Sequence, residues 1–292
     1  MTKTKLNHKD KLLLGVHLST SRGISALFDE AERLDINVFQ FFIGSPRVWK
    51  HRVFSEDECD IFLEKQRRYK FICVHAPYLL NFASNSKKLY RQSIKRALED
   101  IEVMQQLQVK HYVFHPGSSN DTKEGIKLIR NVIDIILGKT CDVTLIVENT
   151  AGEKNDIGKN LIELAEITDG YDDRVGLCID TCHLFASGVN ITVKKSLDTF
   201  YEEMLALNLH KRVKVIHAND SKYMCGAKRD RHAHINEGFI KDIGFINLFK
   251  HPYFSTLPFI LETPKELDMD EVNLVRLRRL YNKSQQLLLT EQ

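Results

Sequence analysis

Few of the features that mark special protein classes occur in this 292-residue chain. No 18 apolar residues run together, so no membrane span is expected. The opening stretch, Met1 to Lys11, is polar and lacks the apolar centre of a secretory signal. The six cysteines are Cys59, Cys73, Cys141, Cys178, Cys182 and Cys225, and no C-x-x-C pair occurs among them. A disulfide framework and a zinc knuckle are therefore not expected, and thiols held reduced in an intracellular compartment are. No G-x-G-x-x-G follows an apolar run, which weighs against a doubly wound dinucleotide-binding sheet and against a nucleotide cofactor. Prolines number 6 and glycines 14, with no Pro/Gly-rich linker to divide the chain. Charge of one sign is missing too: 42 Lys/Arg against 39 Asp/Glu leave +3, so any charged partner must be read from where the charges sit.

What the chain does contain is a repeated order. Eight short, β-branched apolar runs recur: Leu12–Leu18, Val38–Phe42, Phe71–His75, His111–His115, Val143–Glu148, Val175–Asp180, Val213–His217 and Pro258–Glu262. Near-continuous apolar runs of this length suit strands buried on both faces, as in a parallel sheet. Between them lie stretches with helical periodicity, at Ser21–Leu34, Tyr90–Leu107, Gly125–Leu137, Asn160–Thr168 and Leu197–Leu207. The alternation predicts an α/β fold, a single (β/α)8 TIM barrel over 12–287, with a polar extension at 1–11 and a frayed tail at 288–292.

Six of the eight runs end on a metal-binding residue type: His75, His115, Glu148, Asp180, His217 and Glu262. The C-terminal ends of barrel strands share one face, so these residues should converge on one pocket. Each alone is more often a core histidine or a helix cap. Together, three imidazoles and three buried carboxylates in one pocket would be very costly without cations. Two local clusters add candidates. His183 lies three residues after Asp180, and Asp230-Arg-His232 could chelate one ion from an extended backbone, with His234 as a competitor. Nine ligands of this mixed N/O type, with no thiolate, suit a cluster of two or three Zn²⁺, Mn²⁺ or Fe²⁺ ions.

Six blocks of the sequence, in order, resemble the endonuclease IV family of apurinic/apyrimidinic (AP) endonucleases. They are His75-Ala-Pro-Tyr-Leu-Leu-Asn81, Phe114-His-Pro-Gly-Ser118, Glu148-Asn-Thr-Ala-Gly152, the stretch from Gly176 to His183, His217-Ala-Asn-Asp-Ser-Lys222 continued by Gly226 and Asp230-Arg-His232, and Leu261-Glu-Thr263. The resemblance implies three zinc ions at the C-terminal face of the barrel. His75, His115 and Glu148 would hold the first; Glu148 would bridge to the second, completed by Asp180, His217 and Glu262; His183, Asp230 and His232 would hold the third. It implies hydrolysis of the phosphodiester 5′ to an abasic site in duplex DNA, leaving a 3′-hydroxyl and a 5′-deoxyribose phosphate, as in base excision repair. Glu148 and Glu262 are the expected catalytic carboxylates. The family's usual glycines are replaced by Asn236 and Lys241, which leaves the conformation of that loop open.

DNA contacts are expected on the loops above the strands. Between Ser45 and Arg96 there are 12 Lys/Arg against 5 Asp/Glu, with Lys87, Lys88, Lys95 and Arg96 either phosphate contacts or a solvated helix face. Arg47 and Trp49 lie in a Pro-containing loop that resembles a family loop entering the DNA, although Trp49 could equally be packing. Tyr78 is a candidate wedge, and Asn81 and Lys222 are further candidate contacts. The rival readings are a metal-dependent sugar isomerase or epimerase on the same barrel, and a non-enzymatic DNA- or metal-binding module. The expected protein is a monomer of the cytoplasm, the nucleus or a virus particle, with no membrane partner.

Overall fold

Side chains alternate across a strand, so every second residue of a barrel strand enters the lumen. In the computed structural model, which describes residues 12–266 and 268–290, this alternation builds the site. Val38, Cys73, Val113, Ile146, Cys178, Val215 and Ile260 form a separate apolar cluster inside the barrel. Two residues further along the same strands stand Gln40, His75, His115, Glu148, Asp180, His217 and Glu262. The apolar set is the floor of the pocket and the polar set its wall.

The strands are β1 (Leu14–Leu18), β2 (Val38–Phe41), β3 (Phe71–His75), β4 (His111–Phe114), β5 (Thr144–Glu148), β6 (Val175–Asp180) and β7 (Val213–His217), then β8 (Asp220–Ser221), β9 (His232–Ala233) and β10 (Phe259–Leu261). Eight of them, all but β8 and β9, close a parallel barrel in the order β1-β10-β7-β6-β5-β4-β3-β2. The TIM barrel is thus the fold, and each of the eight apolar runs supplies one of its strands. Gly15 on β1 is required by closure: a Cβ there would sit 1.6 Å from the Val38 carbonyl oxygen on β2.

Helices cover the barrel: α1 (Ile24–Arg33), α2 (Glu56–Lys65), α3 (Lys87–Gln106), α4 (Thr122–Leu137), α5 (Leu161–Thr168), α6 (Thr181–Ser187), α7 (Lys194–Ala206), α8 (Lys241–Lys250) and α9 (Met269–Thr290). Most of the apolar residues of these helices pack with the outward faces of the strands in one continuous core. Polar caps set where four helices start: Ser55, Ser86, Asp121 and Asn160 each accept from an amide of the first helical turn, so α3 and α4 begin three residues before the expected Tyr90 and Gly125, and only the Asn160 boundary coincides with the expected one. Helix α9 continues through Thr290, so the described part of the tail is helical where fraying from 288 was expected; residues 1–11 and 291–292 lie outside the described residues. No helix among the described residues is long and apolar enough to cross a membrane.

Candidate metal centre

Glu148, the last residue of β5, is fully buried at the centre of the pocket. Its Oε2 lies 3.1 Å from His75 Nε2 and 3.5 Å from His115 Nε2. Its Oε1 lies 3.2 Å from His183 Nδ1 and 3.2 Å from His217 Nδ1. One carboxylate thus meets four imidazoles from four segments. Burial alone would raise its pKa, but His115 and His217 beside it hold it well below the usual carboxylate range.

The remaining candidates gather around this centre. His217 Nδ1 lies 3.0 Å from Glu262 Oε2. Asp180 both caps and faces the pocket: its Oδ1 accepts from the His183 amide at 2.7 Å, starting α6, while Oδ2 lies 3.6 Å from His232 Nε2. That cap makes α6 begin at once after β6, which turns His183 inward. The β8–β9 hairpin brings in the last pair. His183 Nε2 lies 3.1 Å from Asp230 Oδ1, and His232 Nε2 lies 3.4 Å from the same oxygen. Ligand-type atoms within 4.8 Å of one another form the groups His75/His115/Glu148, Glu148/Asp180/His217/Glu262 and His183/Asp230/His232, and also two groups that include a thiol, Glu148/Cys178/His217 and Asp180/Cys182/His232. The first three coincide with the sets that the sequence resemblance implied. His234 is not among them: its ring meets Asn273 Nδ2 at 3.0 Å, on the α9 side.

The imidazoles are oriented as well as gathered. His75 Nδ1 donates to the Ala76 carbonyl at 2.7 Å, His183 Nδ1 meets the Asn149 carbonyl at 2.9 Å, and His232 Nδ1 meets the Glu262 carbonyl at 3.1 Å. Each leaves Nε2 directed at carboxylates. Anchoring one ring nitrogen to a carbonyl and freeing the other is how metal-ligating histidines are held. His183 Nε2 and His232 Nε2 are buried, face carboxylates and make no well-aligned hydrogen bond, an arrangement that suits a shared cation. Mixed imidazole and carboxylate donors in these groups fit divalent cations such as zinc.

Several supporting residues carried no signal in the sequence. Asn149 Oδ1 accepts from the Asp180 amide at 2.7 Å, and Asn219 Nδ2 donates to Asp180 Oδ2 at 2.6 Å. Asn219 Oδ1 also accepts from the Glu262 amide at 2.8 Å. Gln40 and His17, from β2 and β1, complete the wall beside Glu262. Burial depresses His17 to about 4, keeping it neutral.

The expected DNA-contacting residues divide. Tyr78 is 60% exposed at the pocket mouth, with its ring edge-on to Phe42 at 5.3 Å. Arg47 and Lys222 are exposed. Trp49 is half-buried and packs against the core. The Asn81 side chain is a brace: Oδ1 accepts from the Ala83 and Ser118 amides and Nδ2 donates to the Ser118 carbonyl. Among the cations, Lys87, Lys88 and Lys95 are exposed, but Arg96 is buried and ion-paired with Asp100, so it belongs to the core and not to a basic surface. A pocket of about 320 Å³ opens beside His115, His183 and Asp230, with Tyr78, Gly117 and Arg231 at its sides. A larger cleft, about 740 Å³, adjoins it past His17 and Phe42 and carries Arg22, Lys50, Arg52 and Lys265.

Comparison with known proteins agrees with this geometry. Residues 28–286 match the family described as xylose isomerase-like TIM barrel (AP endonuclease family 2). A probable endonuclease 4 of Aquifex aeolicus is 40% identical, with 93% of this chain and 99% of that protein covered. The chain belongs to the endonuclease IV family. A probable endonuclease 4 of Thermoplasma volcanium is 35% identical over 92% of this chain and 95% of that protein. The crystal structure of endonuclease IV from Thermus thermophilus superposes with a TM-score of 0.81 at 30% identity, covering 92% of this chain and 99% of that one. A D-tagatose 3-epimerase-like protein shares the barrel, TM-score 0.70 at 18% identity, and that likeness extends to the fold alone. The protein is accordingly a nuclease, which sets aside the sugar isomerase and the non-enzymatic module.

Proposed function

We propose that this nuclease cleaves duplex DNA on the 5′ side of an abasic site, leaving a 3′-hydroxyl and a 5′-deoxyribose phosphate, and that it does so with three zinc ions. The observation that carries the reading is the pair of groups sharing Glu148, joined to a third group through His183. In the proposal His75, His115 and Glu148 hold one ion, Glu148, Asp180, His217 and Glu262 a second, and His183, Asp230 and His232 a third. Bound together, such cations supply Lewis acidity that makes water nucleophilic at neutral pH and offsets charge on a phosphodiester.

The chain's own part is placement. Glu148 and Glu262, both held well below the usual carboxylate range despite their burial, remain anionic at neutral pH. The pocket beside His115 and His183 takes the abasic sugar and its 5′ phosphate. The cleft with Arg22, Lys50, Arg52 and Lys265 follows the flanking backbone, where phosphate contacts position without reading sequence. Tyr78 enters the duplex from the β3–α3 loop, filling the gap left by a flipped nucleotide, and Arg47 on the β2–α2 loop contacts phosphate. With a metal-activated water as nucleophile no Ser or Cys nucleophile is needed, so no covalent intermediate is expected. The protein works as a monomer inside the cell or a virus particle, where its cysteines stay reduced.

The test is cleavage of a synthetic duplex with one tetrahydrofuran abasic analogue, against a matched intact duplex, without added Mg²⁺. Selective incision 5′ to the lesion, and about three zinc ions per chain by mass spectrometry of the purified protein, are expected. Equal cutting of both duplexes would refute the substrate, and a content near one ion would refute the cluster.

A further inference from the structure

Gln40 is the third residue of β2, 0% exposed, and its amide stands between two of the proposed ligands of the second ion. Its Nε2 donates to Glu262 Oε1 at 2.6 Å and lies 3.0 Å from His17 Nδ1. Its Oε1 lies 3.0 Å from His217 Nε2 and accepts from the Cys73 thiol at 3.3 Å. An amide oxygen can only accept, so a neutral, cation-binding His217 carries its proton on Nε2. That leaves His217 Nδ1 bare, and Nδ1 is the nitrogen that faces Glu148 and Glu262. An amide nitrogen can only donate, so Gln40 holds Glu262 through Oε1 and turns Oε2 toward His217 Nδ1, 3.0 Å away, where a cation would sit.

We propose that Gln40 is a positioning residue that fixes the tautomer of His217 and the rotamer of Glu262, and thereby sets how tightly the second ion is held. This rests on the metal-dependent reading above. The other two groups do not depend on Gln40. His75 and His183 are anchored by the Ala76 and Asn149 carbonyls, and His232 by the Glu262 carbonyl, which β10 and Asn219 hold in place. His17 backs the arrangement: with Nδ1 accepting from Gln40, its proton sits on Nε2, and it cannot compete as a donor to Glu262 Oε1 through Nδ1.

The test compares wild type with Gln40→Met, which keeps the volume and removes the hydrogen bonds to Glu262 and His217 together with those to His17 and Cys73, and with Gln40→Leu. Zinc retained per chain is followed during dialysis against a chelator, and the metal-free proteins are compared by circular dichroism and melting temperature. Loss of an outer hydrogen bond to a ligand typically weakens metal binding by about 10–100-fold. In both variants one ion of three should leave faster by that factor, while the other two leave at the wild-type rate. Loss of all three ions together, parallel to a lowered metal-free melting temperature, would reduce Gln40 to a structural residue. Retention of all three at the wild-type rate would overturn the proposal while leaving the metal reading intact. A wild-type protein that holds fewer than two ions would overturn both.

Discussion

Tyr78→Ala tests how the protein finds its lesion. The ring is 60% exposed, and among rings it meets Phe42 at 5.3 Å and His75 at 6.1 Å, both edge-on. Removing it loses about 1 kcal/mol of aromatic contact at most. For a chain of this size that lowers the melting temperature by roughly 2–4 °C. A base-stacking wedge is worth ~1–3 kcal/mol per contact, so affinity for abasic duplex should fall about 5–150-fold. The assay is fluorescence anisotropy with labelled abasic and intact duplexes, in a Glu148→Gln background that prevents cleavage. A wedge acts only where the duplex is kinked and a nucleotide displaced, so the loss on intact duplex should be much smaller. Arg47→Ala, a phosphate contact by this reasoning, should weaken both duplexes alike and reduce the slope of log affinity against log salt by about one. Equal losses on both duplexes for Tyr78→Ala, or a fall in melting temperature large enough to account for the weaker binding, would refute the wedge.

Glu148→Gln removes the carboxylate that meets four imidazoles, and cleavage should drop by more than roughly 10³-fold while abasic duplex still binds; near-normal turnover would show that Glu148 holds no shared cation. Metal-free protein should be most stable near pH 6.5, as checked by melting temperature from pH 4 to 9. Against burial, which opposes charge, Asp180 and Asp230 raise His183, and Cys178, Glu262 and Glu148 raise His217, so that stabilisation is complete below about 6.5 and fades as pH rises through the folded pKa. Burial lowers His17 and His115, and those residues destabilise as pH falls below about 6.5; the depressed carboxyls of Glu148 and Glu262 add to the loss below about 4.5. Zinc should abolish the alkaline decline, and a flat metal-free profile above pH 6.5 would contradict the charge assignment. Lys241→Gly relieves a left-handed residue at φ 59° and should stabilise by up to about 1 kcal/mol in thermal unfolding; a lower melting temperature would mean that the lysine side chain matters more than its backbone.

The strands were legible because barrel strands are apolar on both faces, and β3, β6 and β7 begin and end where their apolar runs do. Helix α2 was not, since it buries only Phe62 and so shows almost no helical stripe. Its readable signal was the capping box of Ser55 and Glu58. The ligand-type residues were legible because a charged or imidazole side chain at the end of an apolar run is conspicuous. Gln40, Asn149 and Asn219 hold those residues in place but are neutral amides, and a neutral amide in or after a strand carries no mark of a metal site. Counting charges misled at Arg96, where the partner is Asp100 one helical turn on.

The loop after the third group carries Asn236 and Lys241 where the resembling family usually has glycine. Asn236 and Lys241 adopt φ of 68° and 59°, the left-handed region that glycine reaches freely and other residues reach at a cost. The cost is met by Asp220. Its buried carboxylate accepts from the amides of Gly238 at 3.1 Å, Ile240 at 2.8 Å and Lys241 at 3.2 Å, as well as from Ser221 at 2.8 Å. Hydrogen bonds to a charged acceptor are worth about 1.5–3 kcal/mol each, more than the ~1–2 kcal/mol penalty of one left-handed residue. The anchor therefore dictates the backbone, and the side chains at 236 and 241 adapt to it. Asp220 lies on β8, directly paired with β9, so the same anchor steadies the hairpin that presents Asp230 and His232. Substitution at the two glycine positions is tolerable for the site because the geometry of the third group depends on Asp220 and not on glycine's freedom.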